Sequence, residues 1–359
     1  MTTNSSNRLM RLREQMQRQE VPALLITSPI NRKYISGFTG SAGYVLVTEE
    51  RAVLLTDFRY TTQASEQAPD FEIVDFSNRL MEHLGQYLSA AKLTKLAFEQ
   101  EHISYAQYAQ WSSQLTSVEW VPVQGLVETL RIIKDDSEIT VIREAAELVD
   151  RTFSHIQSFL KPGVAERDIA LEIEMYVRKS GAISTSFDTI VASGERSALP
   201  HGVASERLLG TGELVTLDFG AYWKGYCSDI TRTVSLGTPP DILKEIYAIV
   251  LDAQQYALEN LKPGMTGREA DALARDRIVK AGYGEHFGHS TGHGLGMEIH
   301  EDPRLSMNSS TILQPGMVVT VEPGIYLPGV GGVRIEDDVL ITDSGAERLT
   351  WSDKQLLIL

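Results

Sequence analysis

The chain repeats itself. LKPGVAERDIALEIEMYVRKSG (160–181) aligns without gaps on LKPGMTGREADALARDRIVKAG (261–282), an offset of 101 residues. Each copy follows a long amphipathic segment and precedes a β-rich one. A helix–turn–helix unit with trailing strands, present twice, constrains the fold to two similar halves. Such halves are related by a pseudo-twofold axis, with a site on that axis drawn from both. The period is too long for a solenoid, whose units run about 20–50 residues.

The first long segment predicts a helix. Ile139, Ile142, Ala146, Val149, Phe153, Ile156 and Leu160 recur at three- and four-residue steps, an apolar face of about six turns. Asp136 or Ser137 is placed to cap its start, and Lys161-Pro162-Gly163 stops it. PDILKEIYAIVLDAQQYALEN (240–260) is its counterpart in the second copy. Ahead of the duplication the pattern changes. ALLIT (23–27), YVLVT (44–48), AVLLTD (52–57) and KLAFEQ (95–100) read as strands, and RLMEHLGQYLSAA (79–91) as a helix. The chain therefore divides into a small α/β domain, residues 1–125, and a duplicated α+β domain, residues 126–359.

The β stretches that follow each copy carry acids among apolar neighbours. In ELVTLDFGAYWKGYCSDITRTVSLG (213–237), a hairpin with its tip at Trp223-Lys224 pairs residues whose numbers sum to 447. Asp218 and Asp229 then face each other, with Cβ atoms on the order of 5 Å apart. Two carboxylates in that position destabilise the sheet unless a proton or cation lies between them. In MVVTVEPGIYLPGVGGVRIEDDVLITD (317–343), Glu322 and Glu336 flank a Gly/Pro-rich loop. Adding 101 to the two aspartates lands at 319 and 330, a few residues from these glutamates. GHSTGHGLGMEIHEDP (288–303), between the two stretches, holds His289, His293 and His300, and ALPHG holds His201. Four carboxylates and one imidazole make a hard, oxygen-rich set that matches two divalent ions. Mn²⁺ fits it foremost, with Co²⁺ and Zn²⁺ as alternatives. Two ions about 3.5 Å apart activate a water for attack on a carbonyl and take up the charge that develops.

Composition narrows the partners. The formal net charge is −15, which repels nucleic acid and anionic membrane. The one cysteine, Cys227, excludes an internal disulfide and any zinc site with two cysteines of this chain. The first residues lack the apolar core of a signal peptide, and no apolar run reaches membrane-spanning length. The expected setting is cytoplasmic.

LDFG, CSDITRT, STGHGLGMEIHEDP, VTVEPGIY and VRIEDDVLIT resemble the pita-bread metallopeptidases: methionine aminopeptidase, aminopeptidase P and prolidase. YISGFTGSAGYVLVT, LLTDFRYTTQA and LRIIKDDSEITVIREAA extend the resemblance over the whole chain, toward the proline-specific branch. That resemblance implies a creatinase-like front domain and a pita-bread catalytic domain. It implies Asp218 and Asp229 as ligands of one metal, His293 and Glu322 as ligands of another, and Glu336 as a second bridge beside Asp229. Glu322 would also move the proton of the attacking water. His289 and His300 would contact substrate, and His201 would lie near the residue after the scissile bond. Arg334 and Tyr326 would stand at the edge of the site. The substrate would be a peptide with proline second, and the assembly a homodimer.

The front domain weighs against methionine aminopeptidase, and the intact ligand set weighs against an inactive binding scaffold. GFTGSAG and DFRY favour aminopeptidase P. Arg304 matches a position where some prolidases hold a substrate carboxylate, which keeps the dipeptidase as the alternative.

Overall fold

The structure, a computed structural model, describes residues 4–359. The chain divides into two compact units, one ending at Arg131 and one spanning Ile132–Leu359. No helix among the described residues is long and apolar enough to cross a membrane.

The front unit is built on a six-stranded mixed sheet. Its order is Glu72–Asp75, Ala52–Thr56, Tyr44–Thr48, Ala23–Ile26, Lys95–Glu99, Glu119–Val123. The four central strands are the apolar runs of the sequence, and all but their ends are buried. The two edge strands, EIVD and EWVPV, carry acids and a proline, which an edge tolerates and a central strand does not. The helix Leu80–Ala90 buries Leu80, Met81, Leu84 and Leu88 on one side.

In the second unit each repeat forms two helices: Asp136–Ile156 with Glu166–Lys179, and Asp241–Asn260 with Gly267–Lys280. The first of these is capped by Asp135, not by Asp136 or Ser137. Its carboxylate accepts from the backbone N–H groups of Ser137 and Glu138, and Glu138 closes the capping box. The helix ends at Ile156, short of Leu160.

The repeats superimpose in their main-chain hydrogen bonds. Gly163 N–H donates to Leu209 O, and Gly264 N–H to Leu313 O, both at 2.8 Å. Glu166 N–H donates to Arg207 O at 3.0 Å, and Gly267 N–H to Thr311 O at 2.9 Å. The donors are 101 residues apart and the acceptors 104. The second copy is thus three residues longer between helix and strand, and the offset of 104 carries Asp218 onto Glu322.

Strand pairing corrects the expected register. Glu213–Phe219 and Ile230–Leu236 are antiparallel, with Thr231 opposite Asp218. Trp223 faces Tyr226 at the tip. Paired numbers sum to 449, not 447. The turn is Lys224-Gly225, with φ of +50° and +98° at its two central residues. That two-residue connection matches the strand twist, where a tip one residue earlier has no glycine to close it. Asp229 lies beyond the end of the longer ladder, two residues before Thr231.

In the second half, Val318–Val321 pairs with Asp337–Ile341, and Gly324–Leu327 with Gly331–Arg334. Both ladders share one register, whose pairs sum to 658. Glu322 and Glu336 obey the same sum and sit in the gap between the ladders, outside either strand. The halves meet where Glu336 N–H donates to Thr231 O at 3.1 Å and Thr233 Oγ1 donates to Arg334 O at 2.9 Å.

Gly163 and Gly264 end their repeated turns at φ of +90° and +87°, with open space where a Cβ would go. We expect Gly163→Ala and Gly264→Ala each to destabilise the fold by about 1–2 kcal/mol through backbone strain alone. Chemical denaturation checks this, and two variants as stable as the parent would be the contrary result.

Candidate active site

The gaps and strand ends just described converge. Asp229, His293 and Glu336, all buried, each offer one ligand atom within 4.8 Å of the others. His293 Nε2 stands 3.7 Å from Asp229 Oδ2 and 3.5 Å from Glu322 Oε1. Asp218 joins from the neighbouring strand through Arg334, whose Nη2 donates to Asp218 Oδ2 at 2.6 Å.

The hydrogen bonds fix which atoms are free. His293 Nδ1 lies 3.0 Å from the Gly294 carbonyl, which only accepts. The ring proton therefore sits on Nδ1, and the Nε2 lone pair points at the carboxylates. Burial holds this imidazole neutral by pulling its pKa down to about 3. Asp218 Oδ1 and Asp229 Oδ1 are buried without a hydrogen-bond partner. Thr231 Oγ1 donates to Glu336 Oε2 at 2.6 Å, and Thr320 Oγ1 to Glu322 Oε1 at 3.2 Å.

Burial raises the acids, and neighbouring carboxylates add to the rise in Asp229, Glu322 and Glu336. Burial, then Glu336 and Asp218, pushes Asp229 well above the usual carboxylate range. Burial, then Glu322 and Asp218, does the same to Glu336. Burial lifts Glu322 to about 8 against the pull of Arg334. Burial also raises Asp218, with Arg334 opposing. The orphaned oxygens, the deprotonated Nε2 and the mutual repulsion fit a site for divalent cations, which would supply the missing partners.

A second chain of bonds runs beside this one. Arg334 Nη1 donates to Tyr326 OH at 2.9 Å, and Tyr326 OH lies 2.8 Å from His289 Nε2. His289 Nδ1 faces the Ser290 carbonyl at 2.8 Å, so Nε2 is the acceptor and the tyrosine hydroxyl donates to it. Burial pulls His289 down to about 4 and pushes Tyr326 up to about 12, so both stay neutral. Both ring nitrogens of His289 are engaged inside the protein.

His300 packs edge-on against His293, with ring centroids 4.4 Å apart. His300 and His201 are exposed, and neither ring nitrogen of either makes a hydrogen bond among the described residues. Arg304 is exposed, stands opposite His293 across the ladder, and pairs with no carboxylate among the described residues. Its charge reaches His293, His300 and Glu322. Cys227 is buried, with its thiol pushed up to about 12 by desolvation.

Sequence reasoning missed three supports. Thr231 links Glu336 to Arg334 Nε, and alternation from Asp229 places it on the same face. Asp338 accepts from Asp229 N–H at 2.9 Å. Arg232 is buried and donates to the Glu336 carbonyl and, at 2.7 Å, to Asp337. Lys354 and Gln254 also donate to Asp337, both at 2.8 Å. In the sequence the run Glu336-Asp337-Asp338 looks like a solvated acidic patch.

A duplicated α+β scaffold with this carboxylate–imidazole cluster defines a metal-dependent hydrolase. Residues 140–343 match metallopeptidase family M24, and residues 8–133 match the creatinase/prolidase N-terminal domain. The chain belongs to metallopeptidase family M24 and has its pita-bread fold. It is 40% identical to the Xaa-Pro dipeptidase of Pyrococcus horikoshii, over 96% of this chain and 97% of that one. Its structure is similar to that of an Xaa-Pro dipeptidase from Bacillus anthracis (TM-score 0.97, 53% identity, 99% and 100% of the two chains). It is also similar to that of the X-Pro aminopeptidase from Thermotoga maritima (TM-score 0.91, 39% identity, 96% and 100%).

An unfolded glutamate titrates near 4.5, and folded Glu322 near 8. Between those values the folded, metal-free chain keeps a proton that the unfolded chain has lost. The stability from this site is therefore present below the lower value and declines as pH rises toward the upper. We expect the melting temperature of EDTA-treated protein to fall between about pH 5 and pH 8, and that of Mn²⁺-loaded protein to rise. Parallel melting curves with and without metal would contradict the assignment.

Proposed function

We propose that this protein is an Xaa-Pro dipeptidase that uses two divalent metal ions held by Asp218, Asp229, His293, Glu322 and Glu336. The observation that carries the dipeptide reading is Arg304: an exposed guanidinium without a carboxylate partner, across the ladder from His293. A free substrate carboxylate one residue past the scissile bond is the natural partner for such a cation. The Xaa-Pro dipeptidases among the similar proteins support the same choice. It displaces the preference that GFTGSAG and DFRY suggest. The X-Pro aminopeptidase of Thermotoga maritima, 39% identical, keeps the aminopeptidase as the second reading.

The metals, when bound, supply Lewis acidity toward a water and the scissile carbonyl. The protein's residues do the rest. Glu322, whose Oε1 lies 3.5 Å from His293 Nε2, takes the proton of the attacking water and passes it to the proline nitrogen. His300 and His201 line the substrate space with unengaged imidazole nitrogens. Arg334 is held by Thr231, Tyr326, the Pro200 carbonyl and Asp218; it aims Asp218 and opposes the upward push of burial on that carboxyl. His289, with both nitrogens engaged, orients Tyr326. Proline suits such a site because its nitrogen offers no N–H for recognition, so specificity falls to ring shape and charge. A homodimer in the cytosol belongs to the same reading, and light scattering of the purified protein tests the assembly.

The test compares an Xaa-Pro dipeptide with an Xaa-Pro-Xaa tripeptide, with Mn²⁺ and with EDTA. We expect metal-dependent cleavage of the dipeptide and little of the tripeptide. Arg304→Ala should raise KM for the dipeptide by about 10–100-fold, the loss of one charge-assisted contact of 1.5–3 kcal/mol. Equal cleavage of both peptides, unaffected by Arg304→Ala, would move the assignment to the aminopeptidase.

A further inference from the structure

The segment that presents His201 is tied at both ends to one buried side chain. It runs from Ser193 through the turn Gly194–Ala198 and Leu199-Pro200-His201-Gly202 to Arg207. Glu166, at the start of the second helix of the first repeat, is fully buried. Its Oε1 accepts from Ser193 N–H at 2.8 Å and Ser193 Oγ at 2.7 Å. Its Oε2 accepts from Ser205 N–H at 3.0 Å and Ser205 Oγ at 2.6 Å, and pairs with Arg196. Arg196 in turn donates to the Val203 carbonyl at 2.8 Å. One carboxylate therefore gathers donors from both flanks of the loop and from the turn at Arg196, and His201 stands exposed between the flanks. The far side of the loop meets the strand of the active-site arginine. Gly332 N–H donates to Ser197 Oγ at 2.8 Å, and Arg334 donates to Pro200 O at 3.1 Å.

The second repeat treats the equivalent position differently. There Gly267 replaces the glutamate, and a Cβ would collide with the Arg304 carbonyl oxygen and the Ser309 side chain. Backbone contact does the work of the carboxylate. Gly267 N–H donates to Thr311 O and Arg268 N–H to Ser309 O, both at 2.9 Å. In both halves the first turn of this helix sets a loop that carries polar groups toward the site.

We propose that Glu166 is a positioning residue for substrate binding, acting through Ser193, Arg196 and Ser205 to hold the loop that presents His201. The proposal rests on the reading of His201 as a substrate-contacting group. Glu166 touches none of the metal-site residues, and the loop reaches them only through the Pro200–Arg334 bond, while Thr231, Tyr326 and Asp218 hold Arg334 independently, so its loss should leave metal binding alone.

The experiment uses the full-length, Mn²⁺-loaded protein and the variants Glu166→Gln, His201→Ala and the double variant. It reads KM and kcat on an Xaa-Pro dipeptide, Mn²⁺ affinity by calorimetry, and amide exchange across 193–207. Glu166→Gln keeps the shape but turns one acceptor into a donor facing donors. Expected are a KM raised about tenfold, an unchanged kcat, faster exchange confined to that segment, and unchanged Mn²⁺ affinity. In the His201→Ala background, Glu166→Gln should add little further loss. Unchanged KM and exchange would overturn the proposal, and so would a parallel drop in Mn²⁺ affinity. If His201→Ala alone leaves KM unchanged while Glu166→Gln raises it and loosens the loop, the positioning role stands and the His201 reading fails. Should Glu166→Gln not fold, Ser205→Ala removes a single donor. It must then show the same pattern in smaller size, and an unchanged KM and exchange there overturns the proposal.

Discussion

Four carboxylates, three of them buried and the fourth, Glu322, partly so, share one space. Each of them titrates above its ordinary range, and burial is the first cause every time. One buried cation, Arg334, offsets part of the charge, and it binds only Asp218 directly. The remaining charge has to be met by protons or by metal. The surrounding structure reads as the apparatus that keeps these groups together against their repulsion. Arg232 and Thr231 reach across from the first half, Asp338 reaches back from the second to the Asp229 N–H, and Lys354 braces Asp337 from behind.

The duplication explains how one chain gathers such a cluster. Each half supplies a helix pair, a sheet and two acids, and each half packs its own apolar cluster beneath them. The halves then diverge in what fills the space around the clustered acids. The second contributes the imidazoles of its glycine-rich segment, where a Cβ at Gly292 or Gly294 would collide with neighbouring backbone. The first contributes the loop that Glu166 gathers.

Much of this could be read from residues alone. The repeat, the central strands and the acids that converge were all visible, because apolar periodicity and a misplaced charge are local signals. What escaped was set by turns and by tertiary contacts. The hairpin register depended on Lys224 accepting a positive φ beside Gly225, which moved Thr231 opposite Asp218. The helix cap fell to Asp135 over two neighbours with equal claim. The three-residue lengthening between helix and strand was invisible until the main-chain bonds were paired. Arg232 and Asp338 gave no signal, because a buried charge and a solvated one look alike in a sequence.

Glu322 and Glu336 lie in the gap between two ladders that keep one register. No sheet hydrogen bond depends on either side chain. A chain on this scaffold could exchange these acids for neutral residues and still assemble its sheets, and in the absence of metal it would lose repulsion by doing so. Selection for folding and selection for chemistry therefore act in opposite directions at these two positions. The sheets thus form a frame that would stand with or without these two acids, and what the acids add is the space they create for a cation.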